Sequence, residues 1–154
     1  AVEFRDWLLS AGLESFVKTT GGKGLHVVVP IRRRHTWEEV KDFTSSVGSR
    51  FAKLFPTRFT TSPSKKVRRG KILIDTLRNA RDATAVAAYS TRARPQASVS
   101  VPVTWQELDH LASSDSMSMQ SVMNRLAKQS ADPWHDINAV QQSITKRCWA
   151  KLNR

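Results

Sequence analysis

The chain has 154 residues and carries 25 lysines and arginines against 13 acidic residues, a formal net charge of +12. That length suits one domain with a true core, and 40% apolar residues beside 25% charged ones exclude a compositionally disordered chain. A single cysteine, Cys148, excludes an intrachain disulfide or a cysteine-built zinc site, and no apolar run approaches the roughly 18 residues of a membrane span. This cysteine usage fits a reducing cytoplasm, and the clustered basic residues point to a polyanionic partner, nucleic acid ahead of the rest.

Val2 to Ala11 reads as a helix, with Phe4, Trp7, Leu8 and Ala11 at helical spacing and Gly12 placed as its C′ residue. The chain opens on this helix with no cap before it, which reads as a fragment. Leu13 to Thr19 is a short strand leading into Thr20-Gly21-Gly22-Lys23-Gly24-Leu25-His26. A glycine-rich turn with one lysine is suitable material for holding phosphate. The bare spacing fits equally well a tight turn between strands with a solvated lysine. Val27 to Val29 then predict a buried strand closed by Pro30.

Arg32, Arg33 and Arg34 form a basic connector. Thr36 and Glu39 make a capping box, and Val40, Phe43, Val47, Phe51 and Leu54 predict an amphipathic helix that stops before Pro56. Arg58 to Thr61 suits a short strand. Ser62 to Lys71 reads as a loop carrying Lys65, Lys66, Arg68, Arg69 and Lys71, either a solvated charge run or a phosphate contact. Ile72 to Leu77 predicts a central strand with Asp75 on the same face as Leu73 and Leu77. A carboxylate buried there needs a partner, and an arginine serves that need as well as a metal ion does.

Ala83 to Ser90 predicts another strand. Arg92 and Arg94 alternate, so both point to one face, and Pro95 ends the run. Ser98 to Val103 is short and extended, and Thr104 with Glu107 forms a second capping box, opening a short helix through Leu111. Ser113 to Ser121 is a serine-rich loop, Val122 to Lys128 is helical, and Asp132-Pro133-Trp134 starts a helix continuing through Ile137, Val140 and Ile144 toward Trp149.

Leu13 to Thr20, running into the glycine turn, closely resembles the polymerase domain of bacterial multifunctional DNA ligase D proteins, of the archaeo-eukaryotic primase superfamily. Further ordered matches are Thr36 to Val40, Ile74-Asp75 with Leu77 to Arg81, Tyr89-Ser90 with Arg92 to Pro95, and Pro102 with Thr104 to Leu108. The similarity runs from about Leu13 to about Trp134.

The resemblance implies an α+β fold, a mainly antiparallel RRM-like sheet packed with helices. It implies template-directed or terminal transfer of nucleotides from an NTP or dNTP to a DNA 3′ end, in double-strand break repair by non-homologous end joining. It further implies manganese or magnesium, a Ku-type end-binding partner, attached ligase and nuclease domains, and a cytoplasmic, nucleoid-associated setting with no membrane. The family's triphosphate-gripping motif matches Thr20 through His26, with Thr20, Gly22, Lys23, Gly24 and His26 as contacts and Thr20 in place of the usual serine. Asp75 matches the third metal-binding, catalytic carboxylate. Arg78 and Arg92 match arginines near the incoming nucleotide. Lys65, Lys66, Arg68, Arg69 and Arg94 are the candidate DNA contacts.

The family's Asp-x-Asp pair has no counterpart in this sequence. The chain therefore reads as the C-terminal part of such a domain, inactive alone, with exposed strand edges that favour self-association. A non-catalytic basic module that binds nucleotide or DNA ends is the other reading.

Overall fold

The computed structural model describes residues 1–153. In chain order the elements are α1 (Val2–Ser10), β1 (Phe16–Thr19), β2 (Leu25–Val28), α2 (Trp37–Leu54), β3 (Phe59–Thr60), β4 (Ile72–Leu73), β5 (Pro102–Val103), α3 (Met119–Lys128) and α4 (Lys146–Leu152), with a 3-10 turn at Glu107–His110. The fold is α+β. It divides into two compact units, 1–32 with 86–143, and 33–85 with 144–153.

In the first unit, β1 is the centre of an antiparallel sheet of order β2-β1-β5. β1 pairs with β2 from Phe16↔Val28 to Thr19↔Leu25, so the glycine turn is the loop of a hairpin. On the other side Val17 faces Val103 and Lys18 faces Pro102. Central position explains the burial of Val17, Lys18 and Thr19 alike. β2 is an edge strand and only half-buried, so the apolar Val27–Val28 run does not mark a fully buried strand.

Helix α1 ends as its sequence predicts. Gly12 has φ +85°, its N–H donates to Leu9 O at 2.9 Å, and Leu13 N–H donates to Leu8 O at 2.9 Å. This paired closure satisfies the last carbonyls and brings Leu8 and Leu13, both buried, to the same core. A second core cluster joins Val99, Val101 and Val122 of α3, with Tyr89 packed against it. The Tyr89 hydroxyl donates to Asp132, and Glu107 pairs with Arg125 while also capping Thr104 N–H at 2.7 Å.

The second unit is built on α2. Thr36 Oγ1 accepts from Glu39 N–H at 3.2 Å and Glu39 Oε2 accepts from Thr36 N–H at 2.7 Å, the reciprocal cap its sequence predicts. Phe43, Val47, Gly48 and Phe51 form its buried face. Leu54 belongs to the same periodicity but is exposed, since Phe51, Phe55 and Phe59 pack on one another there. Phe43 also meets Trp149 of α4 edge to face, with ring centroids 5.3 Å apart.

Three further predicted elements differ. Ile72–Leu77 is not a central strand: only Ile72–Leu73 is extended, pairing in parallel with β3, and Ile72 and Leu77 are exposed. The segment 83–90, expected as a strand, contains no strand residue. The helix expected from Asp132 to Trp149 breaks into turns over 133–139, an irregular stretch, and α4. In that stretch the Gln142 amide donates to Glu14 O and Pro30 O and accepts from Glu14 N–H, each at 2.8 Å, which fixes the chain outside a helix.

Candidate functional site

The glycine turn organises itself through Thr20. Its hydroxyl donates to Gly24 O at 2.7 Å and accepts from the N–H groups of Gly22 and Gly24 at 3.2 and 3.3 Å. Thr20 thus keeps the hydroxyl chemistry of serine but spends it inside the turn. Gly21 has φ +61°, and a Cβ there would come within 2.7 Å of Arg92 Cγ and 3.0 Å of the Val99 carbonyl carbon. No side chain fits this position without displacing backbone.

Arg92 and Arg94 lie on a tight hairpin in which Arg92 N–H donates to Ser98 O at 2.8 Å and Thr91 bridges Val99. Both side chains reach the same turn, the Arg92 stem against Gly21 and the Arg94 guanidinium 3.5 Å from where a Gly22 Cβ would stand. They meet the turn from a bend, in which Arg94 N–H donates to Arg92 O at 2.8 Å, and not from the strand face that their alternation predicts. Lys23 and Gly24 are exposed, while His26 is half-buried in β2. Lys23, Leu25, Leu108, Asp109, Leu111 and Asp115 line a cavity of about 600 Å³ beside the turn.

Two charged groups here escape a reading of the sequence. Lys18 is buried, and its ammonium donates to Val86 O at 2.8 Å and to Ser100 Oγ at 2.7 Å. Burial first, and the nearby Arg92 second, pull its pKa down to about 8. Asp115 pairs with Arg94 at 3.6 Å. The Ser113 hydroxyl, and behind it Arg94 and Lys23, hold its carboxyl below the usual range. The turn thus lies in a basic environment, opposed by the Asp115 carboxylate from the serine-rich loop.

The remaining candidates sit in the second unit. Asp75 is exposed on the stretch after β4. Its Oδ1 accepts from Leu77 N–H at 3.1 Å and its Oδ2 pairs with Arg78 at 3.5 Å. The arginine partner left open by the sequence is therefore Arg78, whose guanidinium also donates to Thr84 O at 2.5 Å. Burial is not what drives this pairing, because Ile72–Leu77 is not a central strand. Among the described residues no group of three or more His, Cys, Asp or Glu side chains stands together. A lone carboxylate already paired with arginine does not fit two divalent ions, which need several ligands held at coordination distance. Lys65, Lys66 and Arg69 are exposed and Arg68 half-buried on a loop turned by Arg68 N–H to Ser64 O at 3.0 Å.

The fold matches the polymerase domain of Mycobacterium tuberculosis ligase D, solved in complex with DNA. The TM-score is 0.80 at 31% identity, covering 88% of this chain and 47% of that one. The family model described as "LigD, primase-polymerase domain" matches residues 1–134, and the chain belongs to that family. It is 44% identical over 144 residues to the multifunctional non-homologous end joining protein LigD of Pseudomonas aeruginosa, covering 93% of this chain and 17% of that protein. It is 31% identical over 130 residues to the bifunctional LigD of Bacillus subtilis, covering 84% of this chain and 21% of that protein. The chain thus spans a small share of the relatives it matches.

Proposed function

We propose that this chain supplies the triphosphate-gripping part of a domain that transfers nucleotides from an NTP or dNTP to DNA 3′ ends during non-homologous end joining, within a larger LigD protein. The observation that carries the reading is the convergence of Lys23, Arg92 and Arg94 on a turn that Gly21 and Thr20 lock into shape. Triphosphate carries several negative charges, and fixed cations beside a glycine backbone suit it. The basic loop of Lys65, Lys66, Arg68 and Arg69 suits the DNA backbone, and the structural neighbour is a polymerase domain bound to DNA.

In the longer protein manganese or magnesium would supply charge neutralisation for the transfer, and Asp75 would be one carboxylate among the several ligands needed. Further carboxylates are needed for that, and the sequence carries no Asp-x-Asp pair. Residues 1–154 alone are therefore expected to add no nucleotides. The solitary position of Asp75 also favours the second reading, a basic module that binds nucleotide or DNA ends without catalysis.

Primer extension with manganese separates them. The longer LigD protein should extend a primer, and its Asp75→Ala variant should lose extension while keeping DNA affinity. Extension that survives Asp75→Ala would remove Asp75 from the chemistry, and an inactive longer protein would leave the binding module as the function.

A further inference from the structure

The carbonyls of the glycine turn are held by side-chain hydroxyls, most of them from distant segments. Gly21 O accepts from Ser98 Oγ at 2.7 Å, Gly22 O from Ser114 Oγ at 2.5 Å, and Gly24 O from Thr20 Oγ1 at 2.7 Å. Just before the turn, Thr19 O accepts from Ser100 Oγ at 2.7 Å, and the Lys18 ammonium donates to that same hydroxyl. Such an arrangement has an electrostatic consequence. A carbonyl oxygen carries partial negative charge and repels phosphate, whereas an N–H attracts it.

The C=O of one residue and the N–H of the next point in opposite directions across one planar peptide. Fixing Gly21 O therefore fixes Gly22 N–H, which is spent on Thr20. Fixing Gly22 O fixes Lys23 N–H, directed away from Ser114. Among the described residues Lys23 N–H has no hydrogen-bond partner. Its own ammonium and the Arg94 guanidinium belong to the same turn.

We propose that Ser114 is a positioning residue for the triphosphate: by holding Gly22 O it keeps the Lys23 N–H presented to a phosphate oxygen. This rests on the nucleotide reading above. Ser98 fixes the preceding peptide in the same way, from a buried position. Ser114 lies half-buried on the serine-rich loop and outside the buried core, so its substitution tests the turn without opening the core.

The experiment is calorimetric titration of residues 1–154 with ATP, and with adenosine as the phosphate-free control, at physiological salt. The wild type, Ser114→Ala, Ser114→Thr and Lys23→Ala are compared, with thermal melting beside each. Ser114→Ala should weaken ATP binding about five- to tenfold, the scale of one lost hydrogen bond and a released donor. Ser114→Thr should restore it, and melting temperatures should stay within a degree or two. If Lys23→Ala weakens ATP while Ser114→Ala does not, the serine role is overturned and the nucleotide reading stands. If ATP does not bind the wild type, or binds it no better than Lys23→Ala, the nucleotide reading fails and the serine role with it. Equal losses in Ser114→Ala and Ser114→Thr would mark Ser114 as a packing residue and overturn the proposal.

Discussion

Lys18 shows what a single residue in a central strand costs and what it organises. An ammonium with 4% exposure is costly unless it is bonded, and here it ties Val86 O to Ser100 Oγ. With its pKa drawn down to about 8, the folded state releases a proton that the unfolded chain keeps until about pH 10.5. Below about 8 both states are protonated and the burial cost is fully present. Above it the unfolded state binds more protons, so stability rises with pH through that window. Urea unfolding should show a gain of roughly 2 kcal/mol between about pH 7.5 and pH 9.5 from this group. Lys18→Met should flatten the rise, and a rise of unchanged size in the variant would assign it elsewhere. Residues of this kind were hidden in the sequence. The glycine turn was legible from local spacing, but Ser98 and Ser114 meet it from 77 and 92 residues away, and nothing local marks a serine for such a contact.

Elements were legible where their signals are local and strong. The α2 cap, its apolar face and its stop at Pro56 follow from side-chain chemistry within a few residues. The cap gives a direct test. Thr36→Ala removes the acceptor for Glu39 N–H and should cost about 1 kcal/mol in chemical denaturation, with Thr36→Ser close to wild type. A loss below a few tenths would mean that α2 is held by Phe43, Val47 and Phe51 alone. Strand placement was less legible, because burial depends on neighbours that the sequence does not order. Ile72–Leu77 has the apolar content of a central strand, yet its ladder is a two-residue parallel pairing with Phe59–Thr60. The true centre, Phe16–Thr19, contains a lysine and a threonine and looks like an edge strand by composition. The Gln142 amide broke a predicted helix by offering backbone groups near Glu14 and Pro30 a better partner than a helical ladder would.

At the scale of the whole molecule the dominant quantity is the net charge of +12. Charge of that size acts on a polyanion without reading its sequence. What matters is how much of it contacts phosphate and how much merely biases the field, and salt separates these. Each lysine or arginine that neutralises a phosphate releases a condensed counterion and adds roughly 0.9 to the log–log slope of affinity against salt on duplex DNA. A charge acting only at a distance is screened within about 10 Å at ordinary ionic strength and leaves the slope nearly unchanged. Lys65, Lys66 and Arg69 are exposed on one loop. Replacing all three with glutamine should lower the slope by up to roughly 2.7 if each meets a phosphate. Fluorescence anisotropy with a labelled duplex carrying a 3′ overhang, over several salt concentrations, measures this directly. Affinities of wild type and variant should converge at high salt, because the contribution removed is the ionic one. A variant whose line runs parallel to that of the wild type would show that these side chains contribute field rather than contact, and the DNA-binding role would then pass to other basic residues such as Arg32, Arg33 and Arg34.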